Sequence, residues 1–353
     1  MRIMGRPRAL VAVVAGALLL TGCGSGPSQV GAAAVIGDRT VSIDQVQELI
    51  NKAVREQPIA QKLAGEHKLD VVGRAVVSRL VLHELLVKAA EKQGIRPNYA
   101  QIDAQLAKDP LNGPVPADAS NEAQAMTQVV ARVRDHREEL TDTYLAQALA
   151  DKVVPNASVT FDYTSVGLVP DPTTGAQVEG ADAKKAAFDL ARQFAADPAA
   201  SAKRLQADGQ YLTSLRQRAA QMGQSPESVP AFAGVGEVLP AAQVGSLAAG
   251  PLFGSPVGSA VVFPFPNTPR AWFVGMIRQR SDQPVATEQA PELDAATKTA
   301  IGMRQTQPLF DELGVRVNKR YGVWDVVTMN LAPDEDATQG LVLSPGGSGR
   351  TQQ

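Results

Sequence analysis

The chain of 353 residues has one cysteine, three histidines, two tryptophans and 5% aromatic residues. A lone cysteine has no disulfide partner, so no covalent framework staples this fold. Few aromatics beside abundant Ala, Val and Leu argue against a sandwich and for helices. The apolar run from Ala9 to Leu20 is about a dozen residues, short of the roughly 20 that cross a bilayer as a helix. The formal net charge is −2 and no basic patch stands out, which argues against nucleic acid as a partner. His67, His83 and His136 share no metal-ligand spacing, and no nucleotide, GxSxG or HExxH motif occurs. No metal site, catalytic constellation or small-molecule cofactor is expected.

What is present begins at the N-terminus. Arg2, Arg6 and Arg8 precede the apolar run, which ends in Leu20-Thr21-Gly22-Cys23. A basic start and a short apolar stretch are the parts of an export signal. The four residues resemble the bacterial lipobox. That resemblance implies cleavage before Cys23 and acylation of its thiol, so residues 1–22 are a signal peptide and 23–32 a lipidated tether. It implies a lipid anchor at the extracytoplasmic face of the cell membrane. Cleavage removes three arginines and takes the net charge to −5. An ordinary secretory signal with an incidental cysteine is the alternative.

Beyond the tether, Ala33 to Ile36 reads as a short strand, Gly37-Asp38 as a turn, and Ser42 with Gln45 as a helix cap. Val46, Leu49, Ile50 and Val54 then recur at helical spacing. Residues 70–93 predict a helix apolar on most sides, with Asp70, Arg74, Ser78, Glu84, Lys88 and Glu91 on a narrow polar stripe. Gly94, Ile95 and Pro97 stop it. A short helix spans residues 99–108, and one long helix is expected from Ser120 to about Val153. The run RVRDHREE within it reads as a solvated face.

Pro155-Asn156 marks a composition shift. Val159 to Val169 predicts a strand, residues 181–196 a helix, and residues 260–265 and 271–278 two strands. Pro264 argues that the first of that pair lies at an edge. Residues 197–258 carry poor helix and strand signals. Residues 292–313 return to helix, kinked or split at Pro308.

This order of parts resembles SurA-type chaperones. VIGDRTVSIDQVQELI stands where that family has a turn and polar cap, and VNKRYGVWD is similar to the closing motif of SurA-like lipoproteins, with Lys319 at a position usually held by proline. The resemblance implies a mainly α, α+β fold: a helical core over residues 33–155, an inserted degenerate parvulin-like α/β segment over 156–283, and a C-terminal helix and closing segment over 284–330 that completes the core. Residues 331–353 are expected to form a disordered tail.

The resemblance implies an ATP-independent chaperone that binds unfolded or nascent exported polypeptides. Parvulin domains are prolyl isomerases with two histidines on central strands; here those positions fall near Ser165 or Val166 and near Trp272 or Phe273. The alternatives are therefore an isomerase with an atypical site, and a scaffolding lipoprotein for one envelope partner. Trp272, Phe273, Tyr321 and Trp324 are the candidates for peptide contact; each also reads as an anchor of a core, the favoured reading.

Overall fold

The structure is a computed structural model. It describes residues 31–344 apart from residue 109 and segments 116–121, 155–156, 171–174, 176–177, 242–250, 266–267, 269 and 284–292. The chain is α+β and mainly α.

Strand β1 (Ala32–Ile36) pairs antiparallel with β2 (Arg39–Ser42) and with β7 (Arg316–Val317), so the start of the chain is closed by a segment near its end. Helix α1 (Ile43–Glu56) begins where expected, with the Ser42 hydroxyl accepting from the Gln45 N–H at 3.0 Å. Helix α2 (Pro58–Gly65) leads to α3 (Leu69–Lys92), which buries Val72, Val76, Leu80, Leu85 and Leu86 in one cluster with α1. Each such side chain contributes about 1.5–3 kcal/mol on burial, as an upper estimate. Gly94 has φ +65°, and the Ile95 N–H donates to the Ala90 carbonyl at 2.9 Å, the left-handed stop that Gly94 implies. Ser78, placed by spacing on the polar stripe, is buried. Its hydroxyl donates to the Arg74 carbonyl and accepts the Leu331 N–H at 2.8 Å.

The expected long helix is two. After α4 (Tyr99–Leu106), α5 (Glu122–Val133) ends and α6 (His136–Val153) starts afresh, with the Asp135 carboxylate accepting from the Glu138 N–H at 2.9 Å. An aspartate that can cap a new helix outcompetes continuation of the old one. The run RVRDHREE is not a solvated face: Arg134 and Glu139 are 2% and 6% exposed.

The helical core is closed from the other end of the chain. Helix α9 (Ala295–Arg304) lies on α6, and α10 (Gln307–Glu312) follows a break with Pro308 in its first turn. Tyr321, Trp324 and Leu331 join the same cluster as α1 and α3. Strands β8 (Val323–Asp325) and β9 (Asn330–Ala332) form a small hairpin against α3.

Between these parts, β3 (Ser158–Val166) is followed by α7 (Gly180–Ala196), α8 (Pro198–Gln221), β4 (Ala233–Pro240), β5 (Ala260–Pro264) and β6 (Trp272–Ser281). The fully antiparallel sheet runs β10-β5-β6-β3-β4, where β10 is Leu341–Leu343. Helix α7 covers one face through Ala187, Ala191 and Phe194. The other face meets the ends of α6 and α9 at Ala150 and Ile301.

The disordered tail is corrected over residues 331–344. They complete the β8–β9 hairpin and then add β10 to β5, where Leu343 is buried. Lys184 holds this strap by donating to the carbonyls of Asp336 and Thr338. Because β10 covers Ala260 to Val262, β5 is interior there, and Pro264 lies beyond the pairing rather than on an open edge.

Candidate peptide-binding face

Strand β4 is an edge of the five-stranded sheet. Its pairing with β3 runs in register from Ser158–Pro240 to Phe161–Glu237, and the Ala241 N–H donates to the Ala157 carbonyl at 2.8 Å just before it. Antiparallel pairs alternate, so the backbone groups of Val238 and Pro240 point outward. Pro240 has no N–H to offer. The register then shifts at Val235-Gly236, where Gly236 takes φ +66° and its N–H donates to Asp162 at 2.7 Å. Arg278 donates to the second oxygen of that carboxylate at 2.6 Å. A proline and a pinned bulge blunt this edge against strand addition. What β4 presents is its side chains.

Helix α8 packs on β4 and continues that surface. Among the described residues, the exposed large apolar side chains are Tyr99, Tyr211, Met222, Val235, Val238 and Val257. Four of the six lie on α8, its C-cap and β4, at 42–62% exposure. Isolated exposed apolar residues are ordinary, but grouping on two packed elements points to interaction. Gly209 permits the close approach: a side chain there would press on Val235. Beside this face opens an uncharged cleft of about 430 Å³, lined by Val169, Pro170, Tyr211, Leu215, Val229 and Pro230 among others. A cleft of this make-up takes apolar side chains with little sequence demand.

Behind β4 lies an aromatic floor. Phe273 stacks on Phe263 at 4.5 Å and on Tyr163 at 5.0 Å between ring centroids. The Tyr163 hydroxyl donates to the Ala231 carbonyl at 3.2 Å. Burial, with the Glu237 charge second, pushes the Tyr163 phenol up to about 12, so it stays a neutral donor.

The strand positions at which the family resemblance puts histidines do meet. Ser165 pairs across from Phe273, and Val166 from Trp272. The side chains there are a buried hydroxyl without a hydrogen-bond partner, a phenyl ring, an isopropyl group and an indole. None takes up a proton near neutral pH. Among the described residues no group of three His, Cys, Asp or Glu could hold a metal, and no helix is long and apolar enough to cross a membrane.

The four aromatic candidates separate. Tyr321 and Trp324 are 7% exposed in the helical core, where Trp324 stacks on Phe310 at 5.0 Å and Tyr321 lies against Gly73. Phe273 is buried in the aromatic floor. Trp272 remains half-buried, edge-on to Phe188, with the Lys184 ammonium 5.9 Å from its ring centre. Leu20, Thr21, Gly22 and Cys23 lie outside the described residues. Sequence reading missed Tyr211, Met222, Val235 and Val238. The available signal was an unmatched Tyr on a polar helix and the GVGEVLP run, too Gly-rich to read as a strand by spacing alone.

Residues 7–154 match the family described as SurA-like N-terminal domain. That match takes in β1 to α6, the region whose order of strand, capped helix and apolar helix resembles the family. No curated protein matches the chain.

Proposed function

For a chain that is SurA-like in its N-terminal domain, and hence of chaperone type, we propose a membrane-tethered, ATP-independent chaperone for unfolded exported polypeptides. The apolar surface of α8 and β4, with its uncharged cleft, carries the reading beyond the family match. A blunted strand edge fits clients held by side-chain contacts, weakly and without register. Lipid on Cys23 holds the protein at the extracytoplasmic face of the membrane, where such clients emerge.

The test is suppression of aggregation. Residues 24–344 are mixed with a denatured exported protein on dilution, and light scattering is followed. Delay at near-stoichiometric ratio supports the reading, and scattering unchanged at molar excess overturns it. The anchor has its own test: Cys23→Ala moves the protein from the membrane to the soluble fraction in cells.

The isomerase alternative draws on the aromatic floor and on the meeting of Ser165 with Phe273. A proline-peptide assay at background rate removes it. A dedicated scaffold instead gives one dominant crosslinked partner in cells rather than many.

A further inference from the structure

Five ionisable side chains far from the α8–β4 face form one buried relay. His83 Nδ1 lies 2.6 Å from Asp142 Oδ1. Arg134 donates to Asp142 Oδ2 at 3.0 Å and to Glu139 at 2.6 Å. Arg79 closes the chain on Glu139, with its Nε at 3.1 Å and a second, shorter contact from Nη2. The spacing makes this a ladder: Arg79 and His83 stand one turn apart on α3, Glu139 and Asp142 one turn apart on α6, and Arg134 fills the turn between α5 and α6. Asp142 is fully buried and His83 retains 23% side-chain exposure.

The charges balance only in one protonation state. Arg134 also pairs with Glu138 at 3.5 Å, which makes three carboxylates facing two guanidinium groups. A protonated His83 supplies the third cation; a neutral His83 leaves one negative charge in excess. Other charged groups on the surrounding elements are committed elsewhere: Arg39 of β2 reaches Glu84, Asp103 of α4 holds Arg137, Arg132 of α5 donates to Gln128, and Lys298 of α9 pairs with Asp151.

We propose that His83 is a pH-sensitive latch between α3 and α6, closed by its imidazolium and loosened when that proton leaves. The neutral ring keeps its hydrogen bond to Asp142 through the Nδ1–H tautomer, so what is lost is the charge that balances the cluster. Asp142 holds the His83 imidazolium above its ordinary range despite the burial that opposes it. Stability from a group raised in this way is full below its unfolded value of about 6.5 and is lost as pH rises through the folded value. The latch thus weakens on the alkaline side of neutrality. It is independent of the proposed client face, which lies in the other part of the chain.

The test uses the full mature chain. Its three histidines give three ring C–H signals, and that of His83 is assigned by loss in His83→Gln, or by elimination with His67→Gln and His136→Gln should the first variant not fold. A His83 midpoint above about 6.5 is expected; a midpoint at or below it overturns the proposal. In thermal unfolding, Tm of the wild type falls by about 2–4 °C as pH rises through that midpoint. Native-state amide exchange in α6, corrected for intrinsic rate, quickens over the same interval. A flat Tm, or α6 protection that ignores the midpoint, overturns the latch even if the midpoint is raised.

Discussion

Gly302 of α9 lies directly against the backbone of Ala146 of α6. A side chain at Gly302 would collide with the Ala146 carbonyl, so the returning helix seats on the core by backbone contact. Closure of the helical unit by a distant segment therefore depends on one missing methyl group.

Gly302→Ala is expected to destabilise by about 2 kcal/mol, since overpacking outweighs the helix propensity that alanine gains. Urea unfolding measures it. Unchanged or increased stability would contradict the close seam.

Trp324→Ala is expected to cost about 3–5 kcal/mol, because the indole is buried and stacked on Phe310. At temperatures where the variant stays folded, its action on clients should match the wild type. A loss of client binding without loss of stability would instead make Trp324 a contact residue.

Asp142→Asn removes a buried carboxylate from Arg134 and His83 and is expected to cost about 3–5 kcal/mol at neutral pH. The His83 hydrogen bond and charge hold the Asp142 carboxyl below its usual range against burial, which is the largest single influence. Its stabilisation is present above about 3.9, the unfolded value, and disappears as pH falls through the folded one. Acid unfolding of the variant should therefore be shallower than that of the wild type; identical acid limbs would contradict the assignment.

A chain ended at Leu331 lacks β10 and leaves Ala260 to Val262 as an open edge. It is expected to lose several degrees of Tm and to be cut by protease near β5 sooner than a chain ended at residue 344. Equal lifetimes would show that β10 adds nothing to the sheet.

The parts of the fold that were legible are those with a local cause. Ser42 with Gln45, the Gly94-Ile95 stop and Pro308 each act within a turn or two, and each behaves in the structure as its chemistry dictates. The parts missed depend on distant partners. RVRDHREE looks solvated because its counter-charges, Arg79 and His83, sit about sixty residues away on α3. Helix α8 gave a poor signal because two of the five side chains it buries, Ser201 and Asp208, are polar. The segment after Leu331 looks like a tail because three-residue strands carry no periodicity, and only pairing with β5 makes Leu341–Leu343 one. Of the candidate site, the register that brings Ser165 to Phe273 was readable from strand order. The exposed face of α8 and β4 was not, since exposure is a property of what fails to cover a residue.

The most direct test of the central claim is aggregation suppression by residues 24–344 set beside the same protein carrying Tyr211→Ser and Val238→Ser. Both substitutions fall on exposed side chains and should leave Tm within about 1–2 °C. The wild type should delay scattering of a denatured exported protein at near-stoichiometric ratio, and the double variant should need several-fold more protein for the same delay. Equal suppression by both would place client binding elsewhere on the molecule, and no suppression by either would contradict the chaperone account itself.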